Sequence, residues 1–271
     1  MLPAWTFFLA PALGWIARRI RRDGVECCVI VHNAFDHEAK AWKARLNLWQ
    51  LAQADRYVTH NDNLAAELIA HFPRATVGVF PHPVFDDLPE PQGTLRREAA
   101  LELLFFGLVR PYKGLDLALD AVAKSGRTDL RLTIAGEFWQ GLEETRARID
   151  RLGLADRVEL IPRYVSDAEA AELFERADAV VLPYRSMTGS GVIPMACRYG
   201  RAVVVTDFPG LGAVVRHDET GWLTPPGDID ALATIIRGLD RATTSRAGKA
   251  ARAFGSTLSW DRFADLVLGE T

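Results

Sequence analysis

The sequence predicts an α/β fold with two doubly wound parallel-sheet domains, the first of them incomplete. Short runs rich in Val, Ile and Leu alternate with longer amphipathic stretches through the 271 residues. Most of these runs are apolar throughout, as strands are when both faces of a parallel sheet are covered. A repeated order of strand and then helix is typical of parallel sheets joined by right-handed crossovers.

Each candidate strand is an apolar or β-branched run bounded by polar or turn-forming residues. In chain order these runs are Glu26–His32, Arg56–His60, Thr76–Phe80, Leu101–Gly107, Leu130–Ala135, Arg157–Ile161, Ala179–Leu182, Ala202–Thr206 and Gly221–Leu223. Each candidate helix repeats its apolar residues with the helical period. The helices are Glu38–Leu51, Asn61–His71, Leu115–Lys124, Leu142–Arg151, Asp167–Ala177, Val192–Tyr199 and Ile229–Arg237. A last amphipathic segment, Leu258–Leu268, has its large apolar residues Trp260, Phe263 and Leu266 on one face.

The N-terminal segment is mostly apolar from Trp5 to Ala17 and is followed by four arginines within residues 18–22. A membrane-spanning helix needs about 20 apolar residues, so this run is too short to cross a bilayer. No basic residue precedes the run, which argues against a signal peptide. A core helix with a basic end and a helix that lies on a membrane surface both remain open.

A domain boundary is predicted between Pro81 and Gly93, where the chain is rich in proline and lacks periodicity. Residues 91–254 hold six candidate strands, enough for a full doubly wound domain, whereas residues 1–90 hold three. Three strands leave a sheet edge and apolar helix surface without cover. We therefore expect the first helix to be buried against a second copy, as in a homodimer, against a partner chain or against a membrane surface.

Composition excludes several classes of function. Lys plus Arg total 32 and Asp plus Glu total 35, and the net charge of −3 gives no global electrostatic basis for nucleic-acid binding. Three cysteines, Cys27, Cys28 and Cys197, are too few for a disulfide framework and indicate a reducing compartment. No G-x-G-x-x-G or Walker-type loop follows a candidate strand, which disfavours a dinucleotide dehydrogenase or a P-loop NTPase.

Ligands of open α/β sheets bind beyond the carboxyl ends of the strands, so the residues after each strand are candidates for the site. The loop from Gly107 to Gly114 contains Arg110 and Lys113, which could clamp a diphosphate from the surface of the crevice. A solvated loop is the alternative.

After Leu182, backbone N–H groups of small residues before a helix could hold an anion. These residues are Thr188, Gly189, Ser190, Gly191 and Val192, and the alternative is an ordinary turn with Ser190 as the N-cap.

Other candidates follow other strands. Tyr164, with Arg163 and Val165 on either side, could stack on a nucleobase, although loop packing is the alternative. His32 ends a strand of the first domain and is either a ligand contact or a structural histidine. His37 and Glu38 could form a metal pair, but no third ligand is spaced to join them. At a helix start, the charge of Glu38 suits the helix dipole instead.

Six segments resemble motifs of the retaining glycosyltransferases of the GT-B fold, family 4, known as glycosyl transferases group 1. They follow the family's order: Val31–Asn33, Phe105–Asp116, Ile134–Glu137, Ala177–Tyr184, Gly200–Asp207 and Asp218–Asp228. The resemblance spans nearly the whole chain. It implies two Rossmann-like domains, residues 1–90 and 91–254, with residues 255–271 returning to the first. It also implies a nucleoside diphosphate sugar held mainly by the second domain.

The resemblance also implies roles for the candidate residues. Arg110 and Lys113 would contact the donor diphosphate, and His32 would face the transferred sugar. Arg163, Tyr164 and Val165 would flank the base. The remaining donor-site residues would be Gly107, Gly136, Glu137 and the segment from Thr188 to Val192.

The chain departs from the family pattern at two places. Met187 and Met195 stand where the family has two glutamates, or Thr188 and Ala196 if the alignment slips by one residue. The family's opening strand and glycine-rich loop have no counterpart, so roughly half of the first domain is expected to be absent. These departures favour the alternative of a non-catalytic nucleotide-sugar-binding or assembly subunit.

The resemblance implies transfer of a sugar from a nucleoside diphosphate sugar to a saccharide, lipid or other hydroxyl acceptor, with retention of configuration. No metal or other cofactor is expected, because the cationic side chains supply positive charge at the diphosphate. The expected location is the cytoplasm, with the inner face of the membrane as one alternative. A sugar-nucleotide epimerase of the same fold is disfavoured, because nothing in the chain resembles its acid–base carboxylates.

Overall fold

The computed structural model of the chain describes residues 2–4, 8–32, 41–187 and 189–269. It divides into two compact units. Unit 1 comprises Met1–Pro83 and Leu258–Thr271, and unit 2 comprises Val84–Thr257. Each unit has a parallel sheet with helices packed on it, which confirms the α/β class predicted from the alternation of apolar runs and amphipathic stretches.

The elements follow one another in the predicted alternating order. The strands are β1 (Leu2–Ala4), β2 (Cys28–Val31), β3 (Arg56–Thr59), β4 (Thr76–Val79), β5 (Leu101–Phe106), β6 (Leu130–Ala135), β7 (Val158–Ile161), β8 (Ala179–Leu182), β9 (Ala202–Thr206) and β10 (Gly221–Thr224). The helices are α1 (Ala10–Arg22), α2 (Ala41–Leu51), α3 (Asp62–His71), α4 (Leu115–Ser125), α5 (Leu142–Arg151), α6 (Asp167–Arg176), α7 (Val192–Arg198), α8 (Ile229–Gly238), α9 (Arg241–Gly255) and α10 (Trp260–Leu268).

Unit 1 has a four-stranded parallel sheet in the order β1-β2-β3-β4. The expectation of three strands was wrong, because β1 pairs with β2 from Leu2 opposite Val29 to Ala4 opposite Val31. A strand of three residues carries too little periodicity to be recognised in a sequence. Its assignment comes from its pairing with β2, whose paired residues lie 27 positions away along the chain.

The C-terminal helix α10 packs on the sheet of unit 1. Phe263 and Val267 of α10 lie in a buried cluster with Ile30 of β2 and Val58 of β3. Arg56 at the start of β3 donates hydrogen bonds to the carbonyl oxygens of Leu266 (2.7 Å) and Val267 (2.6 Å), near the C-terminal end of α10. The Leu266 carbonyl oxygen also accepts from the Gly269 N–H at 3.3 Å, so the guanidinium group adds to the backbone capping of this helix end.

Unit 2 has a six-stranded parallel sheet in the order β10-β9-β8-β5-β6-β7. From β5 the chain first builds outward through β6 and β7, and then returns to place β8 on the other side of β5. The order therefore reverses between β5 and β8. In open α/β sheets such a switch point opens a crevice at the carboxyl ends of the two strands.

Helix α1 packs through its small residues and exposes its large ones. Its buried residues are Ala10, Gly14 and Ala17, and a Cβ on Gly14 would lie 2.3 Å from the ring of Trp49 in α2. In contrast, Trp15 is 66% exposed. The expectation that a second copy, a partner chain or a membrane covers this face stays a prediction. No helix among the described residues has the length and apolar character to span a membrane.

We predict that Gly248→Ala destabilises unit 2. A Cβ on Gly248 of α9 would lie 2.1 Å from the carbonyl oxygen of Gly200, a backbone atom that cannot turn away. Overpacking of this kind typically costs about 1–3 kcal/mol in the free energy of unfolding. Gly238→Ala is the matched control, because that exposed helical glycine has no atom within 4 Å of a Cβ. Equal unfolding midpoints in urea for the two variants would contradict this account of the packing.

Candidate functional site

The candidate site lies at the edge of the unit 2 sheet where the parallel strands end. At this edge the neighbouring strands β5 and β8 end side by side. One loop leaves β5 and runs from Gly107 to Gly114, and another leaves β8 and runs from Pro183 to Gly191. Because the strand order reverses here, both loops border the crevice in which ligands of such sheets bind. The two loops meet where the rings of Tyr112 and Tyr184 make an edge contact, with their centroids 6.1 Å apart.

Two glycines let the ends of β5 and β6 approach each other closely. Gly107 has a φ of 94° and Gly136 has a φ of 146°, in the region that side-chain-bearing residues rarely adopt. A Cβ on Gly136 would lie 2.2 Å from the carbonyl oxygen of Gly107. A Cβ on Gly107 would lie 3.0 Å from the ammonium nitrogen of Lys113, so the missing side chain leaves room for that group.

Lys113 is buried, which corrects the expectation that it lies at the surface. It ends a 3-10 turn, Pro111–Lys113, and is 9% exposed. Burial, with the nearby Arg110 acting in the same direction, lowers the pKa of Lys113 to about 8. Within the described residues, no carboxylate lies at ion-pair distance from its ammonium group. An unpaired buried cation is costly, and a perturbed group of this kind in a cleft marks a candidate binding site.

Arg110 is oriented by an aromatic ring that the sequence analysis missed. Its guanidinium carbon lies 3.7 Å from the ring centroid of Trp139, a side chain that is 68% exposed. Stacking holds the plane of the guanidinium group and leaves its in-plane N–H groups available for an anion. The sequence could have pointed to Trp139, because it is an aromatic residue two positions after Glu137, which was already a candidate site residue.

An ion pair fixes the β8 loop to the first turn of α4, directly after the β5 loop. Arg185 contacts Asp116 through both carboxylate oxygens, at 2.7 and 2.6 Å. Its backbone N–H also donates to the carbonyl oxygen of Tyr112, at 2.7 Å. The hydrogen bonds from Arg185 hold the pKa of Asp116 below its usual range. Neither charged residue was singled out as a site residue, because their pairing depends on the β5–β8 contact.

The segment before α7, predicted to bind an anion through its backbone N–H groups, has one of those groups already hydrogen-bonded within the chain. Gly191 is the N-cap and Ser190 lies one residue before it, so the alternative assignment of Ser190 as N-cap was wrong. The Val192 N–H already donates to Ser190 Oγ at 3.3 Å, and that oxygen lies 3.4 Å from the Tyr184 hydroxyl. Gly189 is exposed, and Thr188 lies outside the described residues.

The residues expected to flank a base differ in their surroundings. Tyr164 is 68% exposed and presents a ring on which a flat group can stack. Arg163 is engaged in an ion pair with Glu169, at 2.6 Å, and Val165 is buried. Gly136 is buried and Glu137 is exposed; the Glu137 carbonyl oxygen accepts a hydrogen bond from the Val109 N–H at 2.8 Å.

In unit 1, His32 lies directly after β2 and is half-buried. Its Nδ1 lies 3.2 Å from Nε2 of His60, which directly follows β3. Burial lowers the pKa of His32 and lowers that of His60 to about 4. Sequence reasoning missed His60, although it stands at the end of a predicted strand beside the strand that ends at His32.

Across residues 2–4, 8–32, 41–187 and 189–269, no three His, Cys, Asp or Glu side chains converge on a point where a metal ion could sit. His37 and Glu38, the pair considered from the sequence, lie outside the described residues.

The family model described as glycosyl transferases group 1 matches residues 100–240, slightly more than half of the chain. The D-inositol 3-phosphate glycosyltransferase of Mycobacterium avium (strain 104) is 32% identical over 233 residues, which cover 80% of this chain and 54% of that protein. The chain thus spans about half the length of the curated relatives it matches.

Two solved structures share the fold. The Anabaena protein Alr3699/HepE in complex with UDP has a TM-score of 0.82 at 21% identity, over 96% of this chain and 76% of its own. Sucrose-phosphate synthase from Thermosynechococcus elongatus has a TM-score of 0.77 at 21% identity, over 95% of this chain and 70% of its own. The predicted GT-B type of fold is thereby confirmed. With the family model matched across β5 to β10, the chain belongs to the glycosyl transferases group 1 family.

Proposed function

We propose that this protein transfers a sugar from a nucleoside diphosphate sugar to an acceptor hydroxyl, with retention of configuration and without a metal ion. The observation that carries the proposal is Lys113, a buried cation with no carboxylate partner among the described residues. A diphosphate is an anion that offsets this charge. Complexes of the Anabaena protein with UDP and with UDP-glucose support this class of donor.

The proposed chemistry places positive charge where negative charge develops. As the bond between the anomeric carbon and the diphosphate oxygen breaks, the Lys113 ammonium stabilises the departing phosphate as a point charge. Arg110, held flat against Trp139, offers a planar fork of N–H donors to the same group. The acceptor oxygen then bonds to the anomeric carbon on the face that the diphosphate leaves, and the hydroxyl proton passes to the departing phosphate oxygen. Positioning and charge stabilisation supply the rate acceleration.

The other candidate residues have proposed roles in holding the donor. The exposed ring of Tyr164 stacks on the base, and His32 contacts the transferred sugar. Gly107 and Gly136 allow the backbone to approach the diphosphate closely. The acceptor is a saccharide, lipid or other molecule with a free hydroxyl group.

A second candidate function is a nucleotide-sugar-binding subunit that does not catalyse transfer. It is favoured by Met187 and Met195, which stand where the family resemblance implies two glutamates. Incubation of the pure protein with UDP-glucose and a panel of acceptors separates the two functions. Transfer or donor hydrolysis supports the enzyme, whereas UDP binding with neither reaction supports the binding subunit.

Lys113→Met is expected to weaken UDP binding by about 1.5–3 kcal/mol, roughly 10- to 150-fold in Kd, because a hydrogen bond to a charged group is lost. The same change removes an unpaired buried charge, so the unliganded variant is expected to be at least as stable at pH 7. Calorimetry measures the first effect and thermal unfolding the second.

Lys124→Met is the matched control for this variant. Lys124 is an exposed lysine of α4 that pairs with Asp230, so its replacement is expected to leave the Kd for UDP unchanged. If Lys113→Met binds UDP as tightly as the unaltered protein, the diphosphate assignment is wrong.

The affinity for UDP is expected to fall as the pH rises from 7.5 to 9.5. The pKa of Lys113 is about 8 in the folded chain, against an ordinary value of 10.5. A bound diphosphate favours the charged ammonium, so binding takes up a proton above pH 8 and weakens as the proton becomes scarce. Titrations at both pH values test this, and Lys113→Met should lose most of the dependence.

The free energy of unfolding of the unliganded chain should rise over the pH range in which the affinity for UDP falls. Between pH 8 and 10.5 the unfolded chain retains the Lys113 proton that the folded chain has lost. The Lys113 contribution to stability therefore increases with pH across this window. A flat difference in unfolding free energy between the unaltered protein and Lys113→Met would contradict the depressed pKa.

Sugar transfer is expected to continue in excess chelator. Lys113 and Arg110 supply the positive charge that a divalent ion would otherwise provide at the diphosphate. Initial rates with and without EDTA, after removal of metals from all solutions, provide the measurement. Loss of transfer with EDTA and its recovery with Mg²⁺ or Mn²⁺ would show that this assignment of charge is wrong.

A further inference from the structure

A cavity of about 450 Å³, here named the amino-edge cavity, lies at the edge of the unit 2 sheet where the parallel strands begin. It is lined by residues of four segments, 93–97, 172–178, 199–201 and 241–252. Asp178 in its wall directly precedes β8, and Arg201 directly precedes β9. Strand β8 has four residues, so about 13 Å of strand separates Asp178 from the loop of the candidate site. The amino-edge cavity is therefore distinct from the candidate site.

The wall of this cavity has more positive than negative side chains. Six of its lining residues are Arg or Lys and three are Asp or Glu, in a chain whose net charge is −3. The carboxylates have donors of their own. Asp178 accepts from both terminal nitrogens of Arg97, at 2.9 and 2.6 Å, and Glu175 pairs with Arg201. Glu172 accepts hydrogen bonds from three backbone N–H groups and a threonine hydroxyl.

The three cations on α9 have no such partners. Arg241, Lys249 and Arg252 are exposed, and among the described residues no carboxylate lies at ion-pair distance from any of them. Helix α9 itself contains no acidic residue. Arg176, in contrast, pairs with Glu159. The unmatched positive charge of the cavity therefore lies on its α9 side.

These three cations share one face of α9. With 3.6 residues per turn, Arg241, Lys249 and Arg252 fall within about 80° around the helix axis. Lys249 and Arg252 are three residues apart and are neighbours on the helix surface. Arg241 lies about 12 Å along the axis before Lys249. The face thus presents two positive poles, and an elongated polyanion reaches both, whereas a compact anion such as phosphate reaches one.

Close packing fixes the backbone of α9 beside the cavity. A Cβ on Gly248 would lie 2.1 Å from the carbonyl oxygen of Gly200, so helix and sheet are in contact at these two glycines. A Cβ on Gly200 would lie 3.5 Å from Cδ of Arg252, so the aliphatic stem of Arg252 lies beside this glycine. A cationic side chain on a fixed backbone loses less conformational freedom when a ligand binds.

We propose that the amino-edge cavity binds an elongated polyphosphate or bisphosphorylated small molecule, held by Lys249 and Arg252 at one end and by Arg241 at the other. The guanidinium groups match phosphate oxygens as planar forks, and the lysine adds a point charge. The volume lies in the range of small-molecule sites, about 300–1,000 Å³. The proposal goes beyond the proposed function and does not depend on it.

The lining favours a soluble ligand over a membrane surface. A helix that docks on a membrane inserts large apolar side chains between the lipids. Of the described residues that line the cavity, Leu95 alone is a large apolar side chain with substantial exposure. The carboxylates of the opposite wall also repel a continuous anionic surface, whereas a small ligand contacts only the α9 side.

Calorimetry on the full-length chain with phosphate, pyrophosphate and tripolyphosphate tests this proposal. Tripolyphosphate is expected to bind most tightly and phosphate most weakly, because the longest probe approaches both poles. The affinity should fall as added salt screens the exposed cations. Absence of tripolyphosphate binding at low ionic strength, or equal Kd values for the three probes, would overturn the proposal.

Substitutions on α9 locate the bound probe. Arg241→Gln, Lys249→Gln and Arg252→Gln should each raise the Kd for tripolyphosphate by about tenfold, because a hydrogen bond to a charged group is lost. Arg246→Gln is the matched control, since it removes the same charge from the same helix at a residue that does not line the cavity. It should raise the Kd by only about two- to threefold. Equal effects of Arg246→Gln and Arg252→Gln would indicate general attraction to a basic helix and would overturn the proposal.

Lys113→Met distinguishes this cavity from the candidate site. Tripolyphosphate should still bind to Lys113→Met, and adding Arg252→Gln should weaken that binding by about tenfold, as in the unaltered chain. Loss of tripolyphosphate binding in Lys113→Met would assign the probe to the candidate site and overturn this inference. Failure of the unaltered protein to bind UDP would instead overturn the proposed function and leave this inference standing.

Vesicles of phosphatidylglycerol and phosphatidylcholine distinguish a soluble ligand from a lipid headgroup. Arg252→Gln is expected to leave the fraction of protein that sediments with these vesicles unchanged, because the cavity does not dock on a membrane. Sedimentation that Arg252→Gln abolishes, in a protein that does not bind tripolyphosphate, would assign the three cations to a membrane surface and overturn the proposal.

Discussion

The candidate site of unit 2 centres on one constraint, the partly desolvated charge of Lys113, whose side chain is 9% exposed. Gly107 has no side chain where the ammonium group lies, and the ring of Tyr184 lies 5.9 Å away. Arg110 adds a second positive charge close enough to lower the pKa of Lys113. Such an arrangement is unfavourable until an anion enters, because two cations share a site that is partly desolvated.

The strand order of unit 2 makes this arrangement possible. The reversal between β5 and β8 brings two loops together that are separated by about 70 residues of sequence. Arg185 and Asp116 lock them by a bidentate pair, and Gly114 lets them touch, since a Cβ there would lie 2.0 Å from the carbonyl oxygen of Pro183. The carboxyl edge of unit 1 likewise collects polar groups, His32 and His60, from neighbouring parallel strands. In both sheets the parallel strands end at the same edge, so the polar residues that follow neighbouring strands lie close together.

The two parts of the chain differ in how they use aromatic residues. In unit 2, Trp139 lies on the surface and orients a cation that remains available to a ligand. In unit 1, Phe263 lies in the core and orients His60, a neutral ring with both nitrogens engaged. The same type of contact therefore orients an exposed cation in one unit and a half-buried imidazole in the other.

The sequence by itself predicted most of the helices and strands and the family. Apolar periodicity reports burial residue by residue, so nine of the ten described strands were predicted within two residues at either end. Strand β1 was missed because three residues carry no period. Only the tertiary structure decided that Lys113 is buried, that Trp139 stacks on Arg110, and that His60 lies within hydrogen-bond distance of His32. Those properties depend on atoms from distant segments, which become neighbours only when the sheets form.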